Sequence, residues 1–412
     1  MSPEPSPTPS LGRRSLLGTV AAAGIGTLAG CSTVDGLLDD DVEPPERRVP
    51  AGWKPARGDW PSEHYGFAQT CHNPFASPPR SDPSADWEVD IGGVVDSMVV
   101  AAGRVFVWNE TDGAVVALDI DTGDERWRRS VPGDAGSLQF VTGRLYAGGR
   151  ERLTALSADG ERRWSTRLAE SGVWGYFLVE RDGWVFLFPP NETLRLHADT
   201  GELVERSDHY VYRTATDGSS LYGGRSTFRA YDVDGRALDE RWTADSDGYE
   251  TYGVPAVNDG LVYRSTNVLS PSDSEPRGRL SVYDTSDGTR LVQAPFEQTP
   301  QTPAVEDGVA YVATSGVWSE TIGQDGVLAA LAADGTERWR FDPEAGLRTP
   351  VVADGTVYTG PFRASGAPLV AFDADSGDEL WRRDRVVSDP ELAVADETLY
   401  LAGGSKVVAL RD

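Results

Sequence analysis

From residue 97 to the end of the chain, apolar positions fall into short runs rich in Val, Tyr, Phe and Leu, each closed by a polar turn. One set reads SMVVA, SLQFV, YFLVE, RTATD, VPAVN, TPAVE, TPVVA and PELAVA. A second set follows it closely: GRVFVW, GRLYAG, GWVFLF, SSLYGG, GLVYRS, GVAYVA, GTVYTG and ETLYLA. A third element follows these, written ALDIDTGDERWRR from Ala117 and AFDADSGDELWRR from Ala371, with fainter copies TALSADGERRWST, LRLHADTGELVER, RAYDVDGRALDERW, LSVYDTSDGTRLVQ and LAALAADGTERWRF between them. The runs are strand-sized and the breaks are Asp-Gly, Asn-Asp-Gly or Thr-Gly, which is how antiparallel hairpins are written. After the first forty residues no stretch keeps an i, i+3, i+4, i+7 apolar pattern long enough for a helix.

Four short strands recurring every ~40 residues form units that cannot bury both faces alone and must pack on two neighbours. The pattern predicts an all-β fold, an eight-bladed β-propeller of four-stranded antiparallel blades. The final copy, SKVVALRD, stops before a fourth strand, while ADWEVD around Trp87 is a fourth strand with no blade before it. The N-terminal strand is therefore expected to supply the outer strand of the last blade and close the ring, and deleting residues 85–90 is expected to be strongly destabilising. Trp127, Trp164, Trp242, Trp339 and Trp381 recur at one place in the fourth strand, with Trp87 as the sixth. They are expected to pack against the adjoining blade. Val204 and Val292 stand near that place in two blades, whose joints should be looser. The turn 119–123 has a faint look of a calcium loop but lacks the long acidic run and bidentate Glu of a real one, so a glycine-dependent turn is expected.

Residues 1–30 read as an address. Arg13-Arg14 precede the apolar run SLLGTVAAAGIGTLAG, which is too short to cross ~30 Å of hydrocarbon. The arginine pair resembles a twin-arginine export signal, and Leu28-Ala29-Gly30-Cys31 resembles a lipobox with Cys31 as the lipidated residue. Residues 31–58, with DDDVEPPERR inside, are expected to be a disordered acidic tether, residues 59–84 an extension packed on the disc, and residues 85–412 the propeller. Cys71 is then the one thiol of the mature domain, so no internal disulfide is expected. His72 beside it tempts a metal or nucleophile reading, but no second ligand is evident in the sequence.

Charge changes the picture. The chain of 412 residues has 65 Asp and Glu against 38 Lys and Arg, a formal net charge of −27, and its lysines are Lys54 and Lys406. At roughly 1 M salt the screening length falls to about 3 Å and this self-repulsion disappears. The composition resembles that of proteins from halophilic archaea. No basic stripe suits nucleic acid.

The repeat written here, a small residue or Pro before a Val run, then G-x-[VL]-[YF], then ALD-x-x-TG-x-x-x-W, resembles the PQQ-like repeat of quinoprotein dehydrogenases and of BamB-like outer-membrane assembly lipoproteins. The first resemblance implies PQQ above a calcium ion near the axis, with a vicinal disulfide, a Trp and a catalytic Asp. The chain has Cys31 and Cys71 but no adjacent pair, and no Cys-x-x-Cys-His haem site. Arg150, Arg225, Arg348 and Arg363 are the candidates to offset the cofactor's carboxylates, unless they pair with neighbouring acids. The second resemblance implies a scaffold. The expectation is a monomeric, lipid-anchored propeller on the outer face of the cytoplasmic membrane, without cofactor or catalytic residues, that binds a protein or a surface polymer. A PQQ-dependent dehydrogenase or other propeller enzyme is the alternative. The candidate binding face comprises Trp108, Trp174, Tyr176, Tyr210, Tyr212, Tyr252, Trp318, Phe362 and Arg363, since aromatics and Arg anchor interfaces. Asn109 and Asn191 lie in Asn-Glu-Thr sequons and are candidate glycosylation sites.

Overall fold

A computed structural model describes residues 45–131, 136–149, 151–168, 178–189, 192–208, 211–233, 238–245, 247–268, 276–315, 326–363, 367–384 and 387–412, all within the compact unit Pro44–Asp412. The export signal, Arg13, Arg14, Cys31, Arg150, Trp174, Tyr176, Asn191, Tyr210 and Trp318 lie outside the described residues. Among the described residues no helix forms, and none is long and apolar enough to cross a membrane.

Eight antiparallel sheets make a propeller, each with four strands in sequence order apart from an added short strand, Glu250–Thr251, in the fifth. Blades 1 to 7 cover residues 95–130, 137–167, 178–207, 215–245, 250–296, 304–341 and 351–383. Blade 8 takes three strands from 391–411 and its outer strand from Ser84–Asp90. In that last sheet Trp87 pairs with Ala409 and Asp90 with Lys406. First strands of neighbouring blades touch around the axis, and Val95–Ala101 of blade 1 contacts both Ser137–Val141 of blade 2 and Glu391–Ala395 of blade 8. The ring is closed by the two ends of the chain.

The hairpins joining first and second strands explain the Asp-Gly punctuation. Asp259 and Gly260 have φ of 47° and 78°, and Asp354 and Gly355 of 47° and 64°. Two successive positive φ values are what a type I′ turn requires. These hairpins share one end of the disc with the third-to-fourth-strand turns; this is the turn face. The loops between second and third strands and the connectors between blades share the other end, the loop face.

The repeated Trp joins blades as the sequence predicts. The Nε1–H of Trp127 donates to the Ala158 carbonyl of blade 2 at 2.9 Å, Trp164 to Ala198 at 2.8 Å, Trp242 to Thr285 at 2.9 Å and Trp339 to Ala374 at 2.8 Å. Each ring lies on a turn glycine of the next blade: a Cβ added at Gly160 would sit 2.8 Å from the Trp127 ring. Blade 8 has no third-to-fourth-strand turn to offer Trp381. The Pro79 carbonyl, just before the first strand, takes its place, accepting from Trp381 Nε1 at 3.1 Å and from the Tyr358 hydroxyl at 2.9 Å. Trp87 in turn donates to Ile120 of blade 1 at 3.1 Å. At the joint of blades 5 and 6, Val292 occupies the same seat, 2.6 Å from a Cβ built on Gly335. At the joint of blades 3 and 4 the register puts Glu205, opposite Arg195, at the Trp place, with Val204 one position before it, and a narrow apolar crevice lined by Phe67, Phe186, Phe188, Leu221 and Leu238 has room for about one water molecule.

One boundary moves. Residues 45–58, expected to be tether, are seated on the disc. Val49 is fully buried and Trp53 packs its ring 4.8 Å from Phe67. Arg47 reaches Glu180, a fully buried carboxylate on the first strand of blade 3. It pairs through Nε, and its Nη2 donates at 3.1 Å to the Oε2 that also accepts from the Tyr146 hydroxyl at 2.7 Å. The Pro-rich, acidic composition suggested disorder, but a buried carboxylate needs a cation and this segment carries it.

From Arg47 to Ser77 the extension winds round the axis at the turn face and bonds to the first strand of every blade or the hairpin that follows it. Asp182 of blade 3 donates to Val49 O, Val100 of blade 1 exchanges bonds with Trp60, and Phe140 of blade 2 donates to Pro61 O. Thr216, Val257, Val305 and Val352 of blades 4 to 7 donate to Phe67, Ala68, Thr70 and Cys71. Asn73 Nδ2 donates to Val394 O of blade 8 at 2.8 Å. Cys71 is therefore structural: it is fully buried, and burial pushes its thiol well above its usual range. His72 Nε2 lies 3.1 Å from Glu306 of blade 6.

Candidate functional site: the loop face and the axis

With the axial part of the turn face occupied by the extension, the loop face is where the disc presents its most varied loops. Two of its loops carry the same device. Arg213 sits in the left-handed region at φ 48° with its guanidinium 5.3 Å from the ring of Tyr212, and Arg363 at φ 52° lies 5.2 Å from the ring of Phe362. Both arginines are exposed and both rings half-buried. A non-glycine residue held at positive φ costs roughly 1 kcal/mol or more and persists only where its surroundings enforce it. For Arg363 the restraint is visible: its backbone N–H donates to Asp389 Oδ1 at 2.7 Å. Tyr252 is half-buried in the connector to blade 5, and nearby Arg279 lies 3.4 Å above the ring of Tyr249.

The axis carries a mixed-charge group. Arg348 of blade 7 donates to the same Asp389 Oδ1 at 2.7 Å. Two residues on, the Glu391 carboxyl is pushed well up, chiefly by burial and then by Glu63 of the extension, with Arg348 acting the other way; its Oε2 is buried and has no hydrogen-bond partner. Asp96 of blade 1 is raised by burial, Glu110 and Glu63, and His64 is lowered by burial. These groups interact, and although Asp96 and Glu63 reach solvent, the recess inside the ring is acidic, with Arg348 as a counter-charge.

Several expected site residues stand elsewhere. Trp108 is 2 % exposed and packs between blades 1 and 2, so it belongs to the core and not to a binding face. Asn109 is fully buried. Its Nδ2 donates to Ile91 O at 3.3 Å and Asp112 Oδ2 at 3.2 Å, and its Oδ1 accepts from Asp112 N. That amide caps a strand end and has no room for a sugar, which overturns it as a glycosylation site. Tyr212, Tyr252, Phe362 and Arg363 do lie on the loop face. Arg213, Arg279, Asp389 and Glu391 were not singled out from the sequence; an aromatic-Arg dipeptide in a blade connector is the signal that would have found Arg213.

Among the described residues the donor set does not suit PQQ. Arg348 is committed to Asp389, and Arg225 to Glu250 at 2.9 Å. Arg363 is turned back onto Phe362. The acids at the axis would oppose a three-fold carboxylate rather than hold it.

The family model described as outer membrane protein assembly factor BamB matches residues 83–208 and 276–412. The chain belongs to this family. Among solved structures it is similar to BamB from Moraxella catarrhalis, with a TM-score of 0.61 and 17% identity, over 80% of this chain and 100% of that one. The quinohemoprotein alcohol dehydrogenase of Comamonas testosteroni gives a TM-score of 0.65 and 15% identity, over 86% and 81%. At such identities both likenesses show the propeller fold alone. In sequence the chain is 28% identical over 338 residues to the serine/threonine-protein kinase AfsK of Streptomyces coelicolor, covering 77% of this chain and 39% of that kinase. It thus spans 39% of the length of that relative.

Proposed function

We propose that this protein is an exported, lipid-anchored BamB-family propeller that binds another macromolecule, most simply a protein, through its loop face and performs no chemistry of its own. The observation that carries this reading is the division of labour between the two faces. The axial part of the turn face is taken up by the extension, whereas the loop face displays arginine-aromatic stacks, residue types suited to anchoring an interface. The fold match supports it too, since the likeness takes in the whole of the Moraxella BamB chain. The acidic, lysine-poor composition suits function in concentrated salt.

The test is site-specific photo-crosslinking in native membranes at molar salt. Crosslinkers at Tyr252 and Phe362 should yield a discrete adduct that one at Asp287 on the turn face does not. Equal labelling from both faces, or from neither, counts against the scaffold. The catalytic alternative draws on the dehydrogenase likeness and is met by titrating PQQ with calcium into the same protein. Saturable micromolar binding with alcohol turnover would replace this reading.

A further inference from the structure

We propose that the disc is held with its turn face toward the membrane and its loop face away from it. This rests on the reading of Cys31 as the lipid anchor; what it adds is the orientation, which follows from where the chain enters the disc.

That entry lies on the turn face of blade 3. The backbone N–H groups of Glu46 and Arg47 both donate to Asp199 Oδ2, at 2.8 and 3.1 Å, in the third-to-fourth-strand turn. Arg48 Nη1 donates to the Asp182 carbonyl of the neighbouring hairpin at 2.6 Å. Pro45 lies over the same hairpin, 2.5 Å from a Cβ built on Gly183. The entry is also fixed. Lifting Arg47 would strand Glu180, a carboxylate with no exposure, without its cation. Further along, the backbone bonds to all eight blades prevent the segment from peeling off one contact at a time.

Tether length then decides the facing. About 14 residues separate Cys31 from Pro45. Whatever their conformation, they can reach at most ~50 Å. Strands of five to seven residues make the disc ~20 Å thick. To turn the loop face toward the bilayer, the tether would have to cross that thickness and pass round the rim, using most of its reach. Hairpin aspartates, among them Asp182, Asp259, Asp307, Asp354 and Asp396, line the turn face. They would be repelled by an anionic surface in dilute buffer, but at roughly 1 M salt that repulsion dies within ~3 Å. The orientation should therefore be firmest in high salt.

The natural thiol Cys71 is fully buried, so single introduced cysteines can be labelled selectively. Glu202→Cys and Asp121→Cys on the turn face and Glu110→Cys on the loop face are all exposed positions. The full, lipid-modified chain carrying a fluorophore at one of them is placed in vesicles with a quencher on the lipid headgroup, at molar salt. Quenching from Glu202→Cys and Asp121→Cys should exceed that from Glu110→Cys several-fold. Vesicle-bound protein with equal or reversed quenching would overturn the orientation and leave the anchor standing. Protein that does not float with vesicles would remove the anchor, and the orientation with it.

Discussion

The two faces of the disc are built from the same repeat and put it to opposite uses. On the turn face the hairpins are short, six of the eight carry two successive residues at positive φ, and the extension ties all eight blades together. On the loop face the connectors differ in length and composition, and arginines are held at positive φ over aromatic rings. The difference teaches that the contacts holding the ring together gather at one end of each strand, and the recognition proposed above is assigned to the other, so each should be alterable without the other.

Substitutions can break or sharpen that contrast. The largest effect is expected from removing Ser84–Asp90, which opens blade 8 and withdraws Trp87 from blade 1; several kcal/mol should be lost, on the scale of a buried Trp truncation, by denaturant unfolding at fixed salt. Next, Arg47→Met should cost ~3–5 kcal/mol because Glu180 is left buried and unpaired. The loop-face ion pair of Arg225 with Glu250 is half exposed, and Arg225→Met should cost no more than ~1 kcal/mol. Equal losses from the two would erase the distinction between faces. Between joints, Trp127→Ala should cost ~3–5 kcal/mol and Val292→Ala only about 1 kcal/mol, both read from melting curves.

A smaller effect concerns pH. The Asp59 carboxyl is pushed up to about 6, by burial first and then by Asp396, against the Ala102 N–H it accepts. Between about pH 4 and 6 the folded chain therefore holds a proton that the unfolded chain has lost, and stability falls as pH rises through that window. Asp59→Asn should flatten the slope there and be more stable above pH 6, by ~1 kcal/mol once solvent screening is allowed for. Turn aspartates such as Asp284 and Asp373 are held below their usual range by hydrogen bonds to their own turns, and their contribution fades in the opposite direction, as acid protonates them. The smallest effect on stability, within ~0.5 kcal/mol, is expected for Arg363→Ala, whose consequence should instead be weaker crosslinking from Phe362.

The fold was legible because the repeat is punctuated by residues with one job each. Asp259-Gly260 encodes a turn, and Trp127 encodes a joint, so seven copies, five of them faint, and a stray Trp87 sufficed for eight blades and their closure. The axial extension was harder to read because its partners are backbone groups. Cys71 or Thr70 bonding through a carbonyl leaves no mark on side-chain choice, and Arg47 makes sense only once Glu180 is known to be buried. Trp108 and Asn109 were misplaced for a related reason. Both end a strand at the loop face, and sequence position alone does not say whether such a side chain turns inward. Asp389 escaped notice because its two contacts, with Arg348 and Arg363, come from residues 41 and 26 positions away.

The Pro79 carbonyl standing in for a turn that blade 8 does not have carries a consequence for synthesis. Trp381 and Tyr358 wait on a group made some three hundred residues earlier, and Trp87 finds its strand partner Ala409 only when the last residues arrive. A chain stopped short by even half a blade leaves both ends of the ring without partners. The ring in this way measures its own length, since it closes only once Ala409 is there for Trp87 to pair with.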